Sequence, residues 1–311
     1  GADHPVSLVP ASASRPALTK MSANLAAAIV PAFGKTFVAH VLENNTGDTS
    51  EPVADDYGTI ASTNPKINPI VTAIGEEPIS YAVYDGGSRV YSGPMAMAAY
   101  GDHRLLVAHV STGNVAVIDA SSGRAVATYR VGFGAAGVAV DEAKHVAFVD
   151  NALDQSVSRI DLSKPTGDAA PRYDADATLV RALPSAYSPA ALAGRRFFFD
   201  ATNPHVTPAG VVACASCHPG GGDDGLVWFE HTAGISLRRR RTKNLANAKS
   251  STAPFHWDGE FTTMSALSES TMTSLMGGDG LFVDVSNVQA FVDEIVKPAI
   301  FGSSITSLLP L

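Results

Sequence analysis

The chain has 311 residues, 45% of them hydrophobic and 17% charged, which is enough to build one large or two ordinary domains and excludes global disorder. Lysine and arginine number 22 against 30 acidic residues, and the net charge of −8 argues against nucleic acid as a partner. The two cysteines are too few for a disulfide-dense scaffold.

The N-terminal part of the sequence predicts short β-strands. Short apolar runs bounded by Gly, Asp, Asn and Ser are typical of strands. The clearest runs are residues 104–110, 115–119, 125–131, 146–150 and 157–161.

The strand pattern also repeats. The pair of runs that begins near residue 106 returns about 40 residues later, and a four-strand unit of roughly 40 to 45 residues is typical of a propeller blade. Residues 1–185 would hold a little over four such blades of about 42 residues. We therefore predict an irregular or partial β-propeller over residues 1–185, with a β-sandwich as the alternative.

A change in composition predicts a second domain. A polar, proline-bearing stretch from about residue 163 is interpreted as a linker, and residues 186–311 as a mainly helical domain with long loops. Ser188 followed by Pro189 predicts the start of one helix. Residues 286–297 predict another, capped by Ser286, with apolar residues at helical spacing.

No apolar run reaches the length of a membrane-spanning helix. The first residues also lack the basic and apolar regions of a signal peptide. If the protein is exported, we expect its signal to have been removed already.

The motif richest in chemistry is C-x-x-C-H, formed by Cys214, Cys217 and His218. This pattern attaches c-type haem: the two thiols bind the haem vinyl groups, and the adjacent histidine becomes an axial ligand of the iron. The cysteines are the only two in the chain, so the sequence predicts one covalent haem.

Two other interpretations of the cysteines remain open. They could form a zinc site with two of His205, His231 and His256, although the spacing matches no standard finger. They could also form a redox dithiol, although no surrounding βαβ unit is visible.

The sixth iron ligand is predicted to be a methionine. Met264, Met272 and Met276 all follow the motif, and Met276 precedes two glycines that let a loop approach a flat ring closely. We favour Met276. His231, His256 and an open coordination position are the alternatives.

Several polar and aromatic residues near the motif are further candidates. The basic run 238–241 is either a solvated loop or a partner of the haem propionates through Arg240 and Arg241. Trp257 is a candidate to pack on the haem edge or in the core. Asp223 and Asp224 could hold a cation such as calcium, or simply form a turn.

Four segments resemble, in chain order, the haem domain of bacterial di-haem cytochrome c peroxidases: residues 213–219, 240–245, 252–259 and 276–278. The upstream blades resemble the YVTN-type β-propellers that are fused to such cytochromes in exported bacterial proteins. The resemblance implies a class I-like cytochrome c domain, iron ligation by His218 and Met276, and a periplasmic or cell-surface location.

The family's peroxidases use two haems, whereas this chain carries one attachment motif. We therefore expect one-electron transfer with an unidentified redox partner protein. The alternative is an electron-relay subunit or fragment of a peroxidase-like enzyme whose second redox centre lies elsewhere, for instance at propeller residues His40 and His109. A weaker alternative is a surface-assembly protein with a vestigial haem.

Overall fold

Most of the regular structure is β. The computed structural model describes residues 4–8, 17–21, 24–43, 67–77, 79–81, 84–85, 88–179, 185–210, 212–232, 235–281 and 283–295. Its first seventeen strands are β1 (His4–Leu8), β2 (Ala17–Met21), β3 (Asn24–Ala32), β4 (Lys35–Glu43), β5 (Ile67–Ala73), β6 (Ile79–Ser80), β7 (Tyr84–Asp85), β8 (Ser88–Arg89), β9 (Pro94–Tyr100), β10 (Arg104–His109), β11 (Asn114–Asp119), β12 (Arg124–Arg130), β13 (Ala135–Asp141), β14 (Val146–Asn151), β15 (Ser156–Asp161), β16 (Arg172–Asp174) and β17 (Asp176–Leu179).

These strands form three antiparallel meanders of four strands: blade 1 (β3–β6), blade 2 (β9–β12) and blade 3 (β13, β14, β15 and β17). The first strands of the blades lie side by side, with β9 in contact with both β3 and β13. Strands that radiate from adjacent inner strands make a partial β-propeller. The described residues hold three blades, where the sequence predicted a little over four; β1–β2 and β7–β8 are separate hairpins.

Blade 2 shows why the propeller strands form as predicted. Successive residues of a strand point to opposite faces, and blade 2 lies between two neighbours. Leu105 and Val107 pack against blade 1, while Leu106 and Ala108 pack against blade 3. Because both faces are buried, the strand is a continuous apolar run. The predicted strands agree with β10, β11, β12, β14 and β15 to within one residue at each end.

The stretch expected to be a linker is partly strand. β17 completes blade 3 by pairing with β15, and β16 extends blade 2 by pairing with β12 in parallel. The β12–β16 pairing joins residues distant in sequence, and the polar connection between β15 and β17 hides the second pairing, so local composition gave no sign of either. Residues 180–184, the last part of the expected linker, lie outside the described residues.

The C-terminal region contains the described helices and one hairpin. Its hairpin is unexpected: β19 pairs with β18, so the basic run 238–241 is a strand and not a loop. A 3₁₀ turn at Leu245–Asn247 follows the hairpin. The longer elements are α1 (Pro189–Phe199), α2 (Cys214–Cys217), β18 (Val227–Thr232), β19 (Ile235–Arg241), α3 (Met264–Ser270), a π-helical turn (Thr271–Leu275) and α4 (Val285–Glu294).

Helices α1 and α4 pack closely where they cross. A Cβ on Gly194 of α1 would lie 1.8 Å from the backbone oxygen of Asn287 in α4, so only glycine fits there. Phe198 of α1 and Phe291 of α4 contact edge to face with ring centroids 5.1 Å apart. The crossing brings the first and last described helices of this region together.

The two predicted helix starts differ in accuracy. Ser188 caps α1 as predicted, since its hydroxyl accepts the Ala191 N–H. Ser286 was the wrong cap for α4: the cap is Asp284, whose carboxylate accepts the Ser286 N–H. A carboxylate also interacts favourably with the positive end of the helix dipole.

Among the described helices, none combines the length and hydrophobicity required to cross a bilayer.

The propeller and the C-terminal region are in direct contact. Arg196 of α1 forms an ion pair with Asp154 and stacks 4.7 Å from the centroid of the Phe133 ring. The Ala201 N–H donates to the Ser111 carbonyl at 2.9 Å. Loops of blades 2 and 3 therefore hold the C-terminal end of α1.

Candidate functional site

The C-terminal region encloses a cavity of about 420 Å³. Its walls come from α1, α2, the β18–β19 hairpin, α3, the π-helical turn and α4, and they are mostly apolar. A cavity of this size and character is typical of cofactor sites. Among the predicted site residues, the lining includes Cys214, Cys217, His218, Trp257, Met264, Met272 and Met276.

Helix α2 positions the two cysteines. Residues at i and i+3 of a helix share one face, so Cys214 and Cys217 can both reach the cavity from a single turn. The Ala213 N–H at the start of the turn donates to the Ser216 hydroxyl at 3.0 Å. Burial raises the pKa of the Cys214 thiol to about 11. A reactive dithiol needs a lowered thiol pKa, so the environment of Cys214 argues against the redox interpretation.

His218 follows α2 and is oriented by a backbone contact. Its Nδ1 lies 3.2 Å from the Gly222 carbonyl oxygen, and only a protonated nitrogen can donate to a carbonyl. Nε2 is then the nitrogen that carries a lone pair. Burial lowers the pKa of His218, which favours this neutral form. The residue is thus a preoriented imidazole ligand at the cavity wall.

The three candidate methionines are all buried and all line the cavity. They divide between two hydrophobic clusters. Met264 packs in the cluster that contains Phe198, whose ring also lies next to His218. Met272 and Met276 pack together in the other cluster. Cys214 packs against both clusters and Cys217 against the second, so the methionines of both clusters lie near the C-x-x-C-H motif.

A π-helical turn carries Met272 and leads into Met276. The Met276 N–H donates to the Thr271 carbonyl, five residues earlier, at 2.9 Å. Such turns are rare and often occur at functional sites. Here the turn brings two methionines to one wall of the cavity.

The hairpin register separates Arg240 from Arg241. Arg240 is the cross-strand partner of Trp228, which is buried and lines the cavity, so both side chains lie on the cavity side of the hairpin. Arg241 is opposite the exposed Val227 and lies on the other side. Neither arginine belongs to the cavity lining itself.

The two arginines also have different partners. Arg240 binds both carboxylate oxygens of Asp258 at 3.0 Å, yet its buried Nε has no hydrogen-bond partner among the described residues. Arg241 forms an exposed ion pair with Asp223 at 3.2 Å. Only Arg240 thus keeps a buried donor unused.

Trp257 and His256 form part of the cavity rim. Trp257 lines the cavity, and its indole N–H donates to the Arg241 carbonyl at 2.8 Å. His256 also lines it, contacts Trp257 in a tilted arrangement with ring centroids 4.1 Å apart, and pairs with Glu260. These contacts hold two aromatic rings at the opening.

The two aspartates considered as cation ligands accept hydrogen bonds from other residues of the protein. Asp223 accepts from Arg241 and Gly225, and Asp224 accepts from Leu226 and the Trp228 indole. The side chain of His231 lies outside the described residues. Within the described part of the chain, no group of three or more His, Cys, Asp or Glu side chains is arranged to hold a metal ion. The zinc alternative therefore gains no support.

The two propeller histidines lie in different blades. His40 in blade 1 contacts Thr72 at 2.8 Å, and His109 in blade 2 contacts the Tyr81 hydroxyl at 3.0 Å. Burial lowers the pKa of both, that of His109 to about 3. Each is thus a neutral core residue of its own blade, and the two do not form a shared centre.

Sequence reasoning missed Trp228 as a wall residue. It is 4% exposed, and its indole N–H bonds both Asp224 and Thr242 at 2.9 and 3.0 Å. Its position depends on the β18–β19 hairpin, which was not predicted. His205 was considered only as a zinc ligand, and its contact with Asp279 was also missed.

No protein-family model matches the chain, and the search of curated proteins found no match. Parts of the chain are similar to solved structures. Kuenenia stuttgartiensis hydrazine synthase is 14% identical over 48% of this chain and 48% of its own, with a TM-score of 0.37. The β-propeller domain of Myceliophteria thermophila Cps50 (Swd1) is 15% identical over 42% and 36%, with a TM-score of 0.24. Apo AztD of Citrobacter koseri is 11% identical over 56% and 38%, with a TM-score of 0.31.

The chain spans less than half of the length of each of these structures.

Proposed function

We propose that the chain is a c-type cytochrome that carries one covalent haem and transfers single electrons in the bacterial cell envelope. The observation that carries this proposal is the cavity: Cys214, Cys217, His218 and Met276 all line one apolar chamber. The proposed haem domain, class I-like, comprises residues 186–311. The partner is an electron-carrying protein, and the location is the periplasm or the cell surface.

The lining residues fit a haem in their chemistry. The two thiols would hold the haem by adding across its vinyl groups, and His218 Nε2 and the Met276 sulfur would bind its iron. The volume of about 420 Å³ lies within the range of cofactor cavities, roughly 300–1,000 Å³. When bound, haem supplies an iron that gains and loses one electron.

The chain's own residues orient and tune this centre. The Gly222 carbonyl accepts the Nδ1 proton of His218, which fixes the ring and makes Nε2 a better donor to iron. The walls around Met276, including Val212 and Trp228, are buried and apolar. Burial and a thioether ligand both favour a raised reduction potential.

Arg240 is the proposed partner of a haem propionate. Its buried Nε is an unused donor on the cavity side of the hairpin, and a carboxylate would satisfy it. Arg241 lies on the other side and is engaged by Asp223. Trp257, at the rim, would pack against the macrocycle edge.

The test is the optical spectrum of the purified protein in both redox states, recorded with and without peroxide. We expect a low-spin c-type spectrum, a sulfur-to-iron absorption band in the oxidised protein, and no change with peroxide. A high-spin spectrum that peroxide changes would favour the electron-relay or peroxidase-like alternative. Failure to bind haem would refute both.

A further inference from the structure

The loop that follows Met276 is fastened to a neighbouring turn. The loop is residues 276–281 and the turn is residues 203–207. The Gly280 N–H donates to the His205 carbonyl at 2.9 Å. A Cβ on Gly278 would lie 2.2 Å from that same oxygen, so the two backbones touch at a glycine.

A side-chain contact reinforces the backbone contact. His205 Nδ1 lies 2.8 Å from Asp279 Oδ1, and the same oxygen accepts the Leu281 N–H at 2.9 Å. The backbone bond from Leu281 and the contact with His205 hold the pKa of Asp279 below its usual value. The Asp279 carboxylate thus binds the neighbouring turn through His205 and its own loop through Leu281.

The turn that receives the loop is held by its own hydrogen bonds. The Asn203 side chain accepts the His205 N–H at 3.0 Å, and the Asn203 carbonyl accepts the N–H groups of Val206 and Thr207. Val206 is 2% exposed and packs in the same cluster as Met272 and Met276. The contacts between the loop and the turn therefore lie directly behind the part of the cavity wall that Met272 and Met276 form.

We infer that His205 and Asp279 are positioning residues that hold Met276 at its ligating distance. The inference rests on the proposed function, since it assumes that Met276 binds the haem iron. The loop is anchored at Met276 by the π-helical turn and three residues later by Asp279. With both anchors in place, the methionine side chain has little freedom to withdraw from the cavity.

The test is a competition for the iron in the haem-loaded protein. Imidazole is added to the oxidised protein, and loss of the sulfur-to-iron band gives its apparent affinity. Asp279→Ala and His205→Ala are each expected to raise that affinity about two- to fivefold, because an exposed pair contributes little free energy. Gly278→Ala is expected to raise the imidazole affinity further, because the backbones of the loop and the turn must move apart.

Two variants serve as controls. Asp279→Asn keeps an acceptor oxygen for the ring N–H of His205 and the backbone N–H of Leu281. Its imidazole affinity is therefore expected to remain near that of the wild type. Glu76→Ala removes an exposed ion pair with Lys35 in the propeller, at 2.7 Å, and is expected to leave the imidazole affinity unchanged.

Equal imidazole affinities in wild type, Asp279→Ala and His205→Ala would overturn the inference. That conclusion does not depend on whether Gly278→Ala folds. If the wild-type protein binds haem but shows no sulfur-to-iron band, methionine ligation itself is wrong, which is a separate failure of the proposed function.

Discussion

The propeller and the C-terminal region use apolar residues in opposite ways. In the propeller, the inner faces of the blades fill one another, and buried polar groups such as His109 and Tyr81 bond within the core. In the C-terminal region, Phe, Trp and Met side chains surround a cavity of about 420 Å³. The first arrangement needs only its own residues, whereas the second is suited to a bound group. Stability should therefore depend on packing in the propeller and on the bound group in the C-terminal region.

Gly194→Ala is expected to have the largest effect. The new methyl group would lie 1.8 Å from the Asn287 carbonyl oxygen, so α1 and α4 cannot keep their crossing. We expect the C-terminal region to lose its folded structure and its haem while the blades persist. Limited proteolysis with haem absorbance measures both.

Gly167→Ala is the matched control for this substitution. Gly167 lies in the propeller region with nothing within 4 Å of the added Cβ, so the variant should resemble wild type. Normal haem content in Gly194→Ala would contradict the tight crossing.

Leu106→Ala tests the claim that the stability of the propeller depends on packing between its blades. Leu106 is fully buried between blades 2 and 3, and its truncation should lower the free energy of unfolding by about 2–5 kcal/mol. Chemical denaturation measures the loss. The haem spectrum of the folded variant should be unchanged, and a shifted spectrum would show that the two regions are not separable in this way.

Arg240→Ala and Arg241→Ala form a matched pair at the hairpin. Loss of Arg240 should destabilise the haem-loaded protein by about 1.5–3 kcal/mol, the usual contribution of a hydrogen bond to a charged group. Loss of the exposed Arg241 should cost no more than about 0.5 kcal/mol. Equal effects in denaturation of the haem-loaded protein would contradict the assignment of Arg240 to the cavity side.

Arg196→Ala should have a smaller effect than Arg240→Ala. Its ion pair with Asp154 and its stacking on Phe133 join the two regions at a partly exposed site, where such contacts contribute about 1 kcal/mol or less. We expect slightly earlier unfolding of the C-terminal region by hydrogen exchange. Arg130→Ala, which breaks an exposed pair with Asp174, is the control.

The same contrast explains what could be predicted from the sequence. The propeller strands follow from local alternation and turn residues, so β10 and β11 were correct within a residue. β17 was missed because an irregular connection that contains β16 separates it from β15. The hairpin β18–β19 was missed because four successive arginines do not alternate with apolar residues.

The site was predictable only in part for a similar reason. The C-x-x-C-H motif specifies its chemistry through fixed spacing, so Cys214, Cys217 and His218 stand out in the sequence. The sixth ligand depends on tertiary packing, and all three methionines reach the cavity. Arg240 and Arg241 are adjacent in sequence, and only the strand register distinguishes their sides.

The most direct test of the central claim is the intact mass of the denatured protein after production in a bacterial host that attaches haem c. The account predicts a mass increase of one haem that survives denaturation and is abolished by Cys214→Ser with Cys217→Ser. A wild-type mass equal to that of the polypeptide alone, from a host that loads a reference cytochrome c, would contradict it.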